Sequence, residues 1–165
     1  MSEYQITCCS TADMPAQYFE EKKIPFVCFN FLMDGVQYPD DLGKSMPFKE
    51  FYKKIADGAE PTTAQVNTQQ YMELFEPILQ KGLDILHLTL SSGISGSINS
   101  ANIAKVQMEE KYPGRKVRII DSLSASSGYG MLVDMALTKQ QEGLSLEENA
   151  SWLEENRNKL HHWFF

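Results

Sequence analysis

Apolar and polar positions along this chain follow two periods in turn, one of about two residues and one of about 3.6. Ile6-Thr7-Cys8-Cys9 is short and β-compatible, and Ser10-Thr11-Ala12-Asp13 sets capping residues ahead of a helix expected over Met14 to Lys22. The aromatic run Phe26 to Leu32 predicts a strand, and Asp34-Gly35 a hairpin turn into Val36-Gln37-Tyr38. Pro47 stands where a first-turn proline belongs, Phe48, Phe51, Tyr52 and Ile55 share a helical face, and Gly58 closes that helix near Asp57. Pro61-Thr62-Thr63-Ala64-Gln65 reads as a polar loop, followed by a second amphipathic helix carried by Tyr71, Leu74, Phe75, Ile78 and Leu79.

The second half repeats one grammar. Asp84 to Leu90 is a nearly continuous apolar run, the pattern of a parallel strand covered on both faces, and Ser91 to Ser97 joins it to a helix over Ile98 to Glu110. Val117 to Ile120, the polar tip Asp121 to Ser126 and a helix over Gly128 to Gln141 repeat the unit. Repeated β-loop-α units predict a three-layer α/β domain: a mainly parallel sheet flanked by helices. A last helix, with capping-box character at Ser145, is expected to run to about Leu160. His161-His162-Trp163-Phe164-Phe165 is an aromatic, strand-like ending that needs a neighbour to bury it, so the natural chain is expected to continue past Phe165.

Composition narrows the function. The 165 residues are 42% hydrophobic, enough for one α/β domain spanning 1–165 to bury a core without staples. The net charge of −7 disfavours nucleic acid as a partner. Cys8, Cys9 and Cys28 lack the spacing of a zinc site or redox pair, and a reducing cytoplasm fits them. No run approaches the roughly 20 apolar residues of a membrane span, and the start lacks the character of a signal peptide.

In an open parallel α/β sheet, ligands bind beyond the carboxyl ends of the strands, where the loops at Ser10-Thr11, Ser91 to Ser97 and Asp121 to Ser126 belong. Ser91, Ser92, Ser95 and Ser97 supply hydroxyls, while Gly93 and Gly96 let backbone amides approach a ligand at a helix N-terminus. Capping alone would account for such residues in an arbitrary loop; their density here points to an anion-binding arrangement.

Catalysis is disfavoured. Gly93-Ile94-Ser95-Gly96-Ser97 carries serine where a nucleophile elbow has its second glycine, and no P-loop lysine follows. Gly128-Tyr129-Gly130 lacks a dinucleotide fingerprint. His87 lies in an apolar strand as a core residue, His161 and His162 are adjacent, and none belongs to a metal cluster. Asp40-Asp41 after Pro39 reads as a solvated turn, and Cys9 as a buried, inert thiol. No catalytic residue, metal or cofactor is expected.

Ser10-Thr11-Ala12-Asp13, Pro61-Thr62-Thr63-Ala64-Gln65, Leu90 to Ser97 and Ile120 to Ser126 resemble, in order, the successive signatures of the bacterial DegV family. The resemblance covers essentially the whole chain and is to the N-terminal domain of such a protein. It implies a two-domain, non-catalytic carrier that encloses a long-chain fatty acid and presents it to an ATP-dependent fatty-acid kinase. It places the carboxylate grip on Thr63 and on Ser92 or Ser95. Thr62, Gly93, Gly96, Ser10, Thr11 and Ser126 complete the expected binding set. Two departures stand out: Cys9 where the family usually has Asp, and Ala64 where it has Ser. The resemblance also implies a lipid-enclosing second domain, absent from this chain, which carries an arginine and a histidine for the carboxylate. The alternative is an enzyme subunit of the sugar phosphotransferase or dihydroxyacetone kinase type, which would use a histidine at a strand tip; Cys9 occupies that tip.

Overall fold

The computed structural model describes residues 3–163. Strand β1 (Tyr4–Cys9) leads through a 3-10 turn (Ser10–Ala12) into helix α1 (Ala16–Lys22), then strand β2 (Phe26–Val27). An excursion follows: β3 (Asn30–Met33), β4 (Val36–Pro39), α2 (Phe48–Ala56) and β5 (Thr62–Ala64). The chain then returns through α3 (Thr68–Gln80), β6 (Asp84–Thr89), α4 (Ser97–Lys111), β7 (Val117–Asp121), α5 (Ser126–Gln141) and α6 (Leu146–Asn156), which ends in a 3-10 turn, Arg157–Lys159.

Two sheets result. β2-β1-β6-β7 are parallel, with Ile6 opposite Leu86, His87 opposite Ile119 and Cys9 opposite Val27. Every residue of β6 is buried, the consequence of a central strand with helices on both faces. The second sheet, β4-β3-β5, is antiparallel. The expected α/β class therefore holds, with a small antiparallel sheet added.

The segment expected as one strand over Phe26 to Leu32 is two strands in different sheets. The crossing occurs at Phe29, whose amide donates to the buried Ser10 Oγ at 3.1 Å and whose carbonyl accepts from the Asp40 amide at 2.8 Å. These bonds satisfy the backbone where it leaves one ladder for the other. Thr62–Ala64, expected as loop, is strand β5, pairing with β3. All three of its residues are exposed, so no apolar alternation marked it.

Helix α1 begins at Ala16 rather than Met14, because Asp13 is in the left-handed region (φ 52°) and Pro15 occupies the cap. The final helix stops at Asn156 instead of reaching Leu160, and residues 160–163 form no strand. Trp163 is 80% exposed; Phe164 and Phe165 lie outside the described residues.

Helix α5 packs tightly on the turn after β1. A Cβ on Gly130 would stand 2.5 Å from the Ala12 carbonyl oxygen, so only glycine permits this approach. Tyr129 beside it is fully buried; its hydroxyl accepts from the Cys9 amide at 2.9 Å and donates to the Leu88 carbonyl at 2.6 Å. One side chain thereby fixes the carboxyl ends of β1 and β6 together.

Candidate functional site

The strands of the parallel sheet end on one edge, and the chain leaves there through polar tips after β1, β6 and β7. A cleft of about 770 Å³ opens between the first two tips and the small antiparallel sheet. That volume lies in the roughly 300–1,000 Å³ range of small-molecule sites. Thr11, Leu90, Ser95 and Gly96 line it from the parallel-sheet edge, and Phe31, Thr63 and Gln65 from the small sheet. Helix α2 adds Phe48, Phe51 and Tyr52. Phe48 and Tyr52 are 59% and 66% exposed, so the aromatic face that made α2 legible in the sequence faces an opening instead of a core.

The tip after β6 is a formed turn. The Ser91 carbonyl accepts from the amides of Ile94 and Ser95, each at 3.0 Å, and Ser91 Oγ accepts from the Gly93 amide at 3.2 Å. Ser95 Oγ accepts from the Ser97 amide at 3.2 Å, satisfying a donor in the first turn of α4. Ser92 takes another course: its amide donates to Asp121 Oδ1 at 3.1 Å, as does that of Leu123, which ties the β6 and β7 tips together.

Of the residues expected to bind, the structure brings Thr11, Thr63, Ser95 and Gly96 to the cleft wall. Ser92 and Gly93 lie exposed on the same turn, outside that wall. Thr62 precedes Thr63 on β5 and so projects to the other face. Ser10 lies fully buried beneath the cleft, holding the Phe29 amide, and Ser126 opens α5 in the left-handed region away from the cleft. The Thr11 hydroxyl is buried with no hydrogen-bond partner among the described residues.

Three carboxylates also line the cleft: Asp13, Asp40 and Asp41. Asp40 and Asp41, expected as a solvated turn, are half-buried because β4 delivers them against Phe29. Burial pushes the Asp40 carboxyl above its ordinary range; the Ser10 hydroxyl opposes this, and the charges of Asp13 and Asp41 reinforce it. Burial also acts on Asp41, but the hydroxyl and amide of Ser45 outweigh it and hold that carboxyl below the usual range. A polar pair following the last hairpin strand was the available signal for both.

Beneath the cleft sits a buried polar cluster. Cys9 Sγ lies 3.5 Å from the Tyr71 hydroxyl and 3.8 Å from His87 Nε2, and His87 Nδ1 shares a 2.8 Å hydrogen bond with Thr7 Oγ1. The order Cys-His-Thr looks like a nucleophile, a base and its orienting partner. Burial works against that use: all three are fully buried, burial raises the thiol pKa, and it lowers His87 to about 3. The stable forms are neutral thiol and neutral imidazole. Among the described residues no group of three or more His, Cys, Asp or Glu is placed to hold a metal. No helix among them is long and apolar enough to cross a membrane.

The chain matches, over residues 4–165, the family model described as an uncharacterised protein of the DegV family. A DegV domain-containing protein of Clostridium perfringens is 37% identical over 164 residues, covering 99% of this chain and 56% of the relative. A stearic-acid-binding protein from Eubacterium ventriosum superposes with a TM-score of 0.84 at 28% identity, covering 92% of this chain and 52% of that one. A fatty-acid-binding DegV protein from Thermus thermophilus gives 0.81 at 30% identity, with 96% and 54% covered. The chain thus spans about half the length of these relatives. By its nearly complete match to the family model and its identity with the clostridial relative, this protein belongs to the DegV family.

Proposed function

We propose that this chain is the head-group half of a long-chain fatty-acid carrier. The observation that carries the reading is the cleft itself, which sets Thr63 and Ser95 beside a wall of aromatic side chains in a volume of about 770 Å³. Hydroxyl donors at the N-terminus of α4 suit a carboxylate through charge-assisted hydrogen bonds. The aromatic side chains suit an acyl tail, which gains about 0.8 kcal/mol per buried methylene. The head orients the ligand and the tail supplies most of the affinity.

Between the two serines that sequence left open, the cleft favours Ser95, because Ser92 lies outside its wall. Thr11, with its buried and unpartnered hydroxyl, is a further contact of the same site. Lys, Arg and His are absent from the cleft lining among the described residues, while three carboxylates are present. A full-length protein with a second, lipid-enclosing domain would supply the missing positive charge. Delivery of the acid to an ATP-dependent kinase rests on the family resemblance, and a reducing cytoplasm suits the three free cysteines.

Native mass spectrometry of this chain and of the full-length protein, purified from a bacterial host, tests the reading. A fatty-acid mass on the full-length protein that disappears with Thr63→Ala is the expected result. No lipid on either protein, under conditions that preserve weak complexes, would overturn it.

A further inference from the structure

The cleft contains a polar group that neither the hydroxyl motifs nor the carboxylates explain. Gln65 directly follows β5 and lines the cleft with an exposed side chain. Its carboxamide lies against the first turn of α4: a Cβ built on Gly96 would stand 3.0 Å from Gln65 Oε1 and 3.8 Å from Nε2. Gly96 itself has φ −76° and ψ 4°, which any residue adopts, so the backbone does not demand glycine there. Of the three nearest atoms that an added methyl would meet, two belong to the Gln65 carboxamide and the third is Asn99 Nδ2 at 3.9 Å. The glycine therefore keeps room for Gln65.

The orientation of the amide follows from electrostatics. The N-terminus of a 15-residue helix such as α4 carries partial positive charge, which favours the amide oxygen on the Gly96 side. Nε2 is then the end left to the cleft, and Gln65 makes no hydrogen bond to any described residue. A carboxamide can place an acceptor on the helix and a donor on a ligand at once, from two different atoms. The charged side chains lining the cleft are Asp13, Asp40 and Asp41, so an added donor matters most to an anionic head group.

We propose that Gln65 is a specificity-determining residue of this site: its Nε2 donates to the ligand carboxylate at Thr63 and Ser95, and Gly96 holds open the space that lets it do so. This deepens the carrier reading and rests on it. Gln65 selects for the ionised acid over an ester of the same chain length.

The test is a fluorescence titration of the full-length protein with cis-parinaric acid and, separately, its methyl ester. Gln65→Ala weakens binding of the acid roughly ten- to a hundredfold, the effect of losing one hydrogen bond to a charged group. Gln65→Glu weakens it further by adding a fourth carboxylate. Gly96→Ala weakens it by displacing the amide, and adding Gly96→Ala to Gln65→Ala costs nothing more, since the two act through one contact. The ester, whose carbonyl accepts only a neutral and weaker hydrogen bond, loses less than the acid in every variant, and its retained binding also reports that each is folded. Equal losses for acid and ester, no loss with Gln65→Ala, or additive losses in the double variant overturn the assignment. Failure of the unaltered protein to retain the acid would instead sink the carrier reading, and this inference with it.

Discussion

Thr63 on β5 and Phe31 on β3 are antiparallel partners, so their side chains share one face of the small sheet, and both line the cleft. The candidate head-group hydroxyl therefore stands directly beside the aromatic wall. On its other flank Phe31 stacks on Tyr38 with centroids 5.4 Å apart, and Phe51 of α2 meets it edge-on at 5.1 Å. One ring thus joins both outer elements of the excursion to the strand that carries them.

Phe31→Ala removes both aromatic contacts, each worth about 0.5–1.5 kcal/mol beyond area burial. Acyl-chain affinity should fall, and the gain in affinity with each added methylene should shrink. Isothermal titration with fatty acids of increasing length measures this. An unchanged chain-length dependence would place the tail elsewhere.

Tyr129→Phe removes one hydroxyl and leaves two buried backbone groups, the Cys9 amide and the Leu88 carbonyl, without their partner. At about 1–3 kcal/mol for each unsatisfied group, stability should fall by roughly 2–6 kcal/mol. Urea denaturation monitored by circular dichroism gives the value, and a change under 1 kcal/mol would show that the two strand ends need no such bridge.

Acid should destabilise the fold through His87. Its folded pKa, about 3, lies below the ordinary 6.5, so between these values the unfolded chain binds a proton that the native one does not. The stabilisation is fully present above pH 6.5 and is lost as pH falls toward 3, at up to about 1.4 kcal/mol per pH unit. Melting curves from pH 8 to pH 4, compared with His87→Gln, should show a flatter acid limb for the variant.

The native thiols should be sluggish. Cys8 and Cys9 are buried with raised pKa, and Cys28, half-buried beside Asp40 and Asp41, is pushed up to about 11 by its burial and their charge. A thiol reagent at pH 8 should label none rapidly and all three after denaturation. Fast labelling of Cys9 in the native state would contradict the closed geometry beneath the cleft.

The helices α3 and α6 were legible because their signals are local. In α3 the apolar stripe runs at helical spacing, and in α6 Ser145 makes a capping box with Glu148; the capping box of Asn67 with Gln70, which opens α3, is a finding of the structure. The buried strand β6 was equally plain, since a strand covered on both faces must be apolar throughout. The hydroxyl tips could be placed at one sheet edge for the same reason: β-loop-α units fix which end of each strand they occupy.

Other features depend on residues far apart in sequence. Nothing local announces that the chain changes sheets at Phe29, because the bonds that allow it come from Ser10 and Asp40. Strand β5 is polar and exposed, so only its pairing with β3 makes it a strand. Sequence determined the layered α/β frame, the helices and the chemistry of the loops, all encoded in short-range periodicity and capping. The tertiary structure alone decided that Thr63, Ser95 and Gln65 meet across one cleft while Ser10 is sealed beneath it and Ser92 turned aside. That choice depends on packing between distant segments, which no local pattern of polar and apolar residues records.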